Sequence, residues 1–119
     1  VGDHQAVEDQ FFEYNRDRDD YQELIAPART FGFAHEIEKL QEAGLALGGS
    51  LDNAVLVNEE GPINELRFQN EFARHKVLDL IGDMMLAPEF KGHIIAVRSG
   101  HRLNSKLAKK LKNELLGRN

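Results

Sequence analysis

The chain has 119 residues, with 20 acidic against 15 basic side chains for a formal net charge of −5, and it contains no cysteine. That length suits one domain with a modest core, and the missing cysteines exclude disulfides, thiolate metal sites and cysteine nucleophiles, so any metal takes nitrogen and oxygen ligands. The acidic balance argues against a protein whose main task is coating nucleic acid, and no apolar stretch approaches the roughly 18 to 20 residues of a membrane span.

The opening residues, through Phe12 and Tyr14, read as a weak, very acidic strand. Asp19 and Asp20 then supply an N-cap for a short helix over 21–25, which Pro27 ends. Residues 29–33 are short and aromatic, and Gly32 within them suits a strand edge or a loop where something approaches the backbone. Over 35–43, Ile37, Leu40 and Ala43 fall at helical spacing between Glu and Lys, with Gly44 as the stop. The β-branched run in 52–58 predicts a strand, and Glu60, Gly61 and Pro62 the turn after it. Residues 65–67 return as a strand or tight connection. The longest helix is expected over 70–86, closed by Pro88. Residues 93–98 form the clearest remaining strand, and Asn104 caps a last helix through Leu115. The alternation predicts an α+β two-layer sandwich of helices on a small mixed sheet, as a single domain over 1–119.

Charge is uneven along the chain. Acidic residues crowd the first quarter, while Arg98, Arg102, Lys106, Lys109, Lys110, Lys112 and Arg118 crowd the end. Helix C-termini favour Lys and Arg, so a solvated helix face accounts for these; at most a peripheral membrane contact is expected of them.

The most informative residues lie on the long predicted helix. His75 and Asp79 stand at i and i+4, so an imidazole and a carboxylate point from one face, and Asp83 continues that face one turn on. Taken alone, such a pair is a common surface ion pair. Here Leu78 and Leu86 flank the polar residues, as expected of a helix lining a cleft, while Ala73, Val77, Ile81 and Met84 form an apolar stripe for the core. His101 follows a predicted strand in the Ser99-Gly100-His101 turn. If Asp83 accepts a hydrogen bond from its ring, the imidazolium is favoured, and His101 becomes a candidate acid or oxyanion stabiliser. Lys76 and Arg98 border the same elements and suit phosphate. Gly48-Gly49-Ser50 lacks the Gly-Lys-Ser/Thr ending of a phosphate loop, and no Gly-x-Ser-x-Gly elbow is present. His4, His35 and His93 show no ligand spacing and read as surface residues.

Several segments in this order resemble the C-terminal half of the UDP-3-O-acyl-N-acetylglucosamine deacetylase family, zinc enzymes of lipid A synthesis. They are Ala28-Arg-Thr-Phe-Gly-Phe33, the run from Gly44 to Ala54, Leu66-Arg-Phe68, Glu71-Phe72, Arg74-His-Lys-Val-Leu-Asp-Leu-Ile-Gly-Asp83 and Ser99-Gly-His-Arg-Leu-Asn104. The resemblance covers about residues 21–111 of the sequence. It implies that His75 and Asp79 are two of three ligands to Zn2+, that His101 is the catalytic acid or oxyanion stabiliser, and that Asp83 orients it. Thr30, Phe31, Lys76 and Arg98 match positions near the substrate, with Arg98 standing where a Lys is common. The segment Ile37 to Asn53 matches the insert that forms the family's acyl-chain passage, which implies a short β-α-β insert over about 37–58 with Leu40, Leu45, Leu47, Gly49 and Ser50 at the acyl chain.

The family's other half supplies the third zinc ligand and the Glu that acts as general base, and nothing in this chain matches that motif. The resemblance therefore implies half of an active site, an N-terminal half as partner, UDP-3-O-acyl-N-acetylglucosamine as substrate, and weak zinc binding and no activity by the chain alone. With no basic start or apolar run at Val1-Gly2-Asp3-His4, a cytoplasmic location is expected. The alternative is a non-catalytic module of the same fold that holds a nucleotide-sugar or acyl chain. Nucleic acid is not an expected partner, because the basic residues at the end of the chain carry no aromatic platform.

Overall fold

A computed structural model describes residues 9–44 and 54–117 and divides into two compact units, Val1–His75 and Lys76–Asn119. The boundary falls inside the longest helix. The fold is α+β, with helices and a small three-stranded mixed sheet, in line with the sequence reading.

In the first unit, helix α1 (Tyr21–Leu24) begins at Asp20, whose carboxylate accepts the backbone N–H groups of Gln22 and Glu23. This satisfies donors that a helix start otherwise leaves orphaned. Strand β1 (Thr30–Phe33) runs straight into helix α2 (Ala34–Glu42), and strand β2 (Ala54–Asn58) then pairs parallel to β1, in a register from Thr30↔Ala54 to Phe33↔Val57. A parallel pair needs a crossover, and α2 lies in it, giving a β-α-β unit that starts earlier, at Thr30, than the insert expected over about 37–58. Gly44 ends the helix in the left-handed region at φ 78°, where a side chain is disfavoured.

The turn expected at Glu60, Gly61 and Pro62 is partly strand. Gly61–Pro62 forms β3, antiparallel to β2, while Asn58 Oδ1 accepts the N–H groups of Glu60 and Gly61 to tighten the turn. Asn64 then hydrogen-bonds Leu56 N–H through its side-chain oxygen at 2.8 Å. Its amide thus stands in for a neighbouring strand, and residues 65–67 make a tight connection.

Burial along β2 alternates, as a strand with one covered face requires. Val55 and Val57 meet Phe72 in the core, with Phe31, Phe33 and Leu66 packed around them. Gly32 is where α2 approaches the sheet: a Cβ there would stand 2.7 Å from Ile37 Cδ1. Gly32→Ala is therefore expected to push the end of the Ile37 side chain aside, at a cost of up to about 1 kcal/mol. Ile37→Ala in the same chain should relieve part of that cost, so urea unfolding of the four variants of the cycle should show non-additivity. Additive costs would mean that Ile37 is not the obstacle.

The opening strand is not found in residues 9–14, and its first residues lie outside the described ones. Other contacts hold this segment. Gln10 Oε1 accepts the N–H of Ala73, the carbonyl of Phe11 accepts from Asn70, and the Arg74 guanidinium lies over both Phe12 and Phe68. These groups tie the segment to the start of helix α3 (Glu71–Asp83) in place of a ladder.

In the second unit, α3 continues to Asp83 and tightens into a 3-10 turn at Met84–Leu86, against which helix α4 (His101–Leu116) packs. The expected apolar stripe of α3 is fully buried only at Ala73; Val77, Ile81 and Met84 are half-buried. No described helix is long and apolar enough to cross a membrane.

Two expectations fail here. Residues 93–98 form no strand, and Ile95 and Val97 stand 86% and 77% exposed. A β-branched run is a strand only when a ladder pairs it, and the sheet of the described residues contains β1, β2 and β3 alone. In addition, α4 starts three residues before Asn104, with Gly100 as its N-cap. Asn104 is buried in the first turn and spends its side chain elsewhere, as follows.

Candidate active site

Along α3, His75, Asp79 and Asp83 recur once per turn, which lines their side chains along one face. From the N-terminus of α4, the His101 ring reaches back to this helix. Its Nδ1–H donates to Asp83 Oδ2 at 2.7 Å, and its Nε2 stands 3.9 Å from Asp79 Oδ1. Asn104, one turn beyond His101, donates its side-chain N–H to the same Asp83 oxygen at 3.0 Å. Asp83 is thereby held from two points of α4, and the carboxylate fixes which ring nitrogen carries the proton.

The electrostatics follow from these contacts. The hydrogen bond from Asn104, then that from His101, holds the Asp83 carboxyl below the usual carboxylate range. The hydrogen bond to Asp83, followed by the negative charges of Asp79 and Asp83, raises the His101 imidazolium above its ordinary value, while the Lys76 charge opposes the shift. The side chain of His101 remains 70% exposed, whereas Asp79 and Asp83 are 14% and 20% exposed. The ring is thus presented outward from two largely covered carboxylates, which favour its protonated form. Asp83→Asn removes an acceptor and a charge together, so the His101 pKa should fall toward 6.5, its ordinary value. An NMR titration of its ring protons would test this, and an unmoved midpoint would mean that Asp83 does not set the charge.

His75 is placed differently. Its Nδ1 lies 2.9 Å from the carbonyl oxygen of Ala28. A carbonyl only accepts, so Nδ1 carries the hydrogen, and in the neutral ring the lone pair is on Nε2. Metal-ligating imidazoles are oriented by this kind of hydrogen bond. The donor chemistry of His75 and Asp79, nitrogen and carboxylate oxygen, fits zinc. Among the described residues, no group of three or more His, Asp or Glu side chains is arranged to hold a metal.

Of the other sequence candidates, Lys76 is half-buried on α3, and Thr30 is exposed at the start of β1. Phe31 packs against the core, its ring centroid 4.9 Å from that of Phe72. Arg98 is exposed and has a left-handed backbone at φ 51°, a costly state for a residue with a Cβ. Gly49 and Ser50 lie outside the described residues, as do Leu45 and Leu47. Sequence reasoning missed Asn104 as a partner of Asp83; its spacing of three from His101 was the available signal. It also missed the surroundings of His75. Glu71 is fully buried, and Arg29, 8% exposed, pairs with it at 2.8 Å.

The model of the UDP-3-O-acyl N-acetylglycosamine deacetylase family matches residues 2–113. Relatives named UDP-3-O-acyl-N-acetylglucosamine deacetylase include one from Leptospira biflexa, 50% identical over 95 residues, covering 78% of this chain and 32% of the relative. Another from Geobacter sp. strain M21 is 49% identical over 111 residues, or 91% and 36% of the two chains. One from Wolinella succinogenes is 45% identical over 115 residues, or 94% and 39%. The chain thus spans about a third of the length of these relatives. With almost every residue inside the match, this chain belongs to the UDP-3-O-acyl N-acetylglycosamine deacetylase family.

Proposed function

We propose that the chain supplies part of the active site of a cytoplasmic, zinc-dependent hydrolase that deacetylates UDP-3-O-acyl-N-acetylglucosamine in lipid A biosynthesis. The observation that carries this reading is the 2.7 Å hydrogen bond between His101 and Asp83 beside Asp79, in a chain of this family. His75 and Asp79 would hold the metal, with a third ligand and a general base coming from a region that the longer relatives have beyond this match. When bound, zinc polarises the acetamide carbonyl and its attacking water.

The contributions of this chain follow from its own geometry. Asp83 favours the charged form of His101 and holds its Nδ1–H, and in that form Nε2–H is the proton available to the reaction. That group faces the charge that develops on the acetamide oxygen and can then protonate the departing amine, so that acetate and a free amine result. Asn104 restrains Asp83 during this transfer. Thr30, Phe31, Lys76, Arg98, Gly49 and Ser50 are assigned to the substrate, the two cations to its diphosphate and sugar.

Acetate release from UDP-3-O-acyl-N-acetylglucosamine with zinc tests the proposal, using this chain alone and mixed with the N-terminal portion of a relative. Activity in the mixture only is the expected result. Activity of the chain alone would mean that it carries ligands beyond His75 and Asp79. Folded protein inactive in both would favour the binding module over the hydrolase.

A further inference from the structure

One peptide unit lies between two side chains of α3. The N–H of Arg29 donates to Glu71 Oε2 at 2.8 Å, and the carbonyl of Ala28, the other end of the same amide, accepts from His75 Nδ1. Glu71 and His75 are i and i+4 on α3, so they share a face and are spaced to hold both ends of that amide. The result is a continuous line: carboxylate, amide, imidazole. Glu71 is 0% exposed, and its oxygens also receive the Arg29 side chain and the N–H of Arg67. Burial by itself would push the Glu71 carboxyl up, but these hydrogen bonds outweigh it and hold the group below its usual range, as an anion.

We propose that Glu71 is a positioning residue for His75, acting through the Ala28–Arg29 peptide unit. A carboxylate on an amide N–H polarises the amide and makes its carbonyl a stronger acceptor. A stronger acceptor at Ala28 favours the tautomer with hydrogen on Nδ1 and electron density on Nε2. Metal-ligating histidines commonly take this from a carboxylate directly; here a peptide group is interposed. The consequence for zinc rests on the function proposed above, whereas the tautomer does not.

The test reads the His75 tautomer by ring nitrogen NMR in the metal-free chain. The unaltered chain should show hydrogen on Nδ1; hydrogen on Nε2 would overturn the proposal with no variant made. Glu71→Gln removes the charge at almost constant volume, and Glu71→Asp keeps the charge but shortens its reach. In whichever variant stays folded, the Nδ1–H population should fall, and an unchanged tautomer would overturn the proposal. Zinc affinity, measured in the chain joined to the N-terminal portion of a relative, should fall by about 10-fold or more in the same variant. No zinc binding by the unaltered joined protein would reject the zinc reading and leave the tautomer result standing. Normal zinc affinity despite a shifted tautomer would overturn the role of Glu71 toward the metal.

Discussion

Alanine at His75 or at Asp79 is expected to strip zinc from the completed enzyme, whereas alanine at His101 should leave zinc in place and cut turnover by about 10²-fold or more. The difference follows from where each ring nitrogen is committed. His75 directs Nδ1 to the Ala28 carbonyl, so in the neutral ring the electron pair that a metal requires is on Nε2. His101 directs its Nδ1–H to Asp83, whose carboxylate favours the charged ring, a form with no lone pair to offer. With its side chain 70% exposed, His101 can be truncated at little cost to packing. Zinc content by atomic spectroscopy and turnover on the same samples separate the two roles. Full zinc in His75→Ala would sink the ligand assignment, and lost zinc in His101→Ala would sink the assignment of the acid.

How far the sequence could be read depended on how local the interaction is. The β-α-β unit was legible because β2 has its β-branched run and α2 its apolar spacing and glycine stop within a few residues of each other. The shared face of His75 and Asp79 was legible for the same reason, since four residues along a helix fix it. Residues 93–98 misled because strand propensity describes how a segment fits a ladder, and pairing is a property of the whole sheet. Asn104 misled because its side chain suits either a helix N-cap or a carboxylate partner, and Asp83 lies 21 residues away. The Arg29–Glu71 pair spans 42 residues, and nothing in its neighbourhood along the chain announces it.

That pair also yields the largest expected stability effect. Arg29→Met should destabilise the fold by about 3–5 kcal/mol at neutral pH, because it leaves the buried Glu71 carboxylate without its guanidinium. Against a total of about 5–15 kcal/mol for a domain, this approaches unfolding. The sign of the pH dependence identifies the cause. In the unaltered chain the Glu71 carboxyl is depressed on folding, so its contribution is complete above the ordinary value of 4.5 and is lost as pH falls through the lower folded value. Without Arg29, burial dominates and raises the folded carboxyl instead, so the variant's penalty is greatest above that range and shrinks as acid neutralises the group. The two chains should therefore converge in stability as pH drops below about 4.5. Replacing both partners, as Arg29→Met with Glu71→Gln, should restore much of the loss at neutral pH, since no charge is then left buried and the side-chain oxygen can still accept from the N–H groups of Arg29 and Arg67. Urea unfolding at neutral and acidic pH gives all three comparisons, and a penalty that is small or independent of pH would show that the ion pair does not hold this part of the fold.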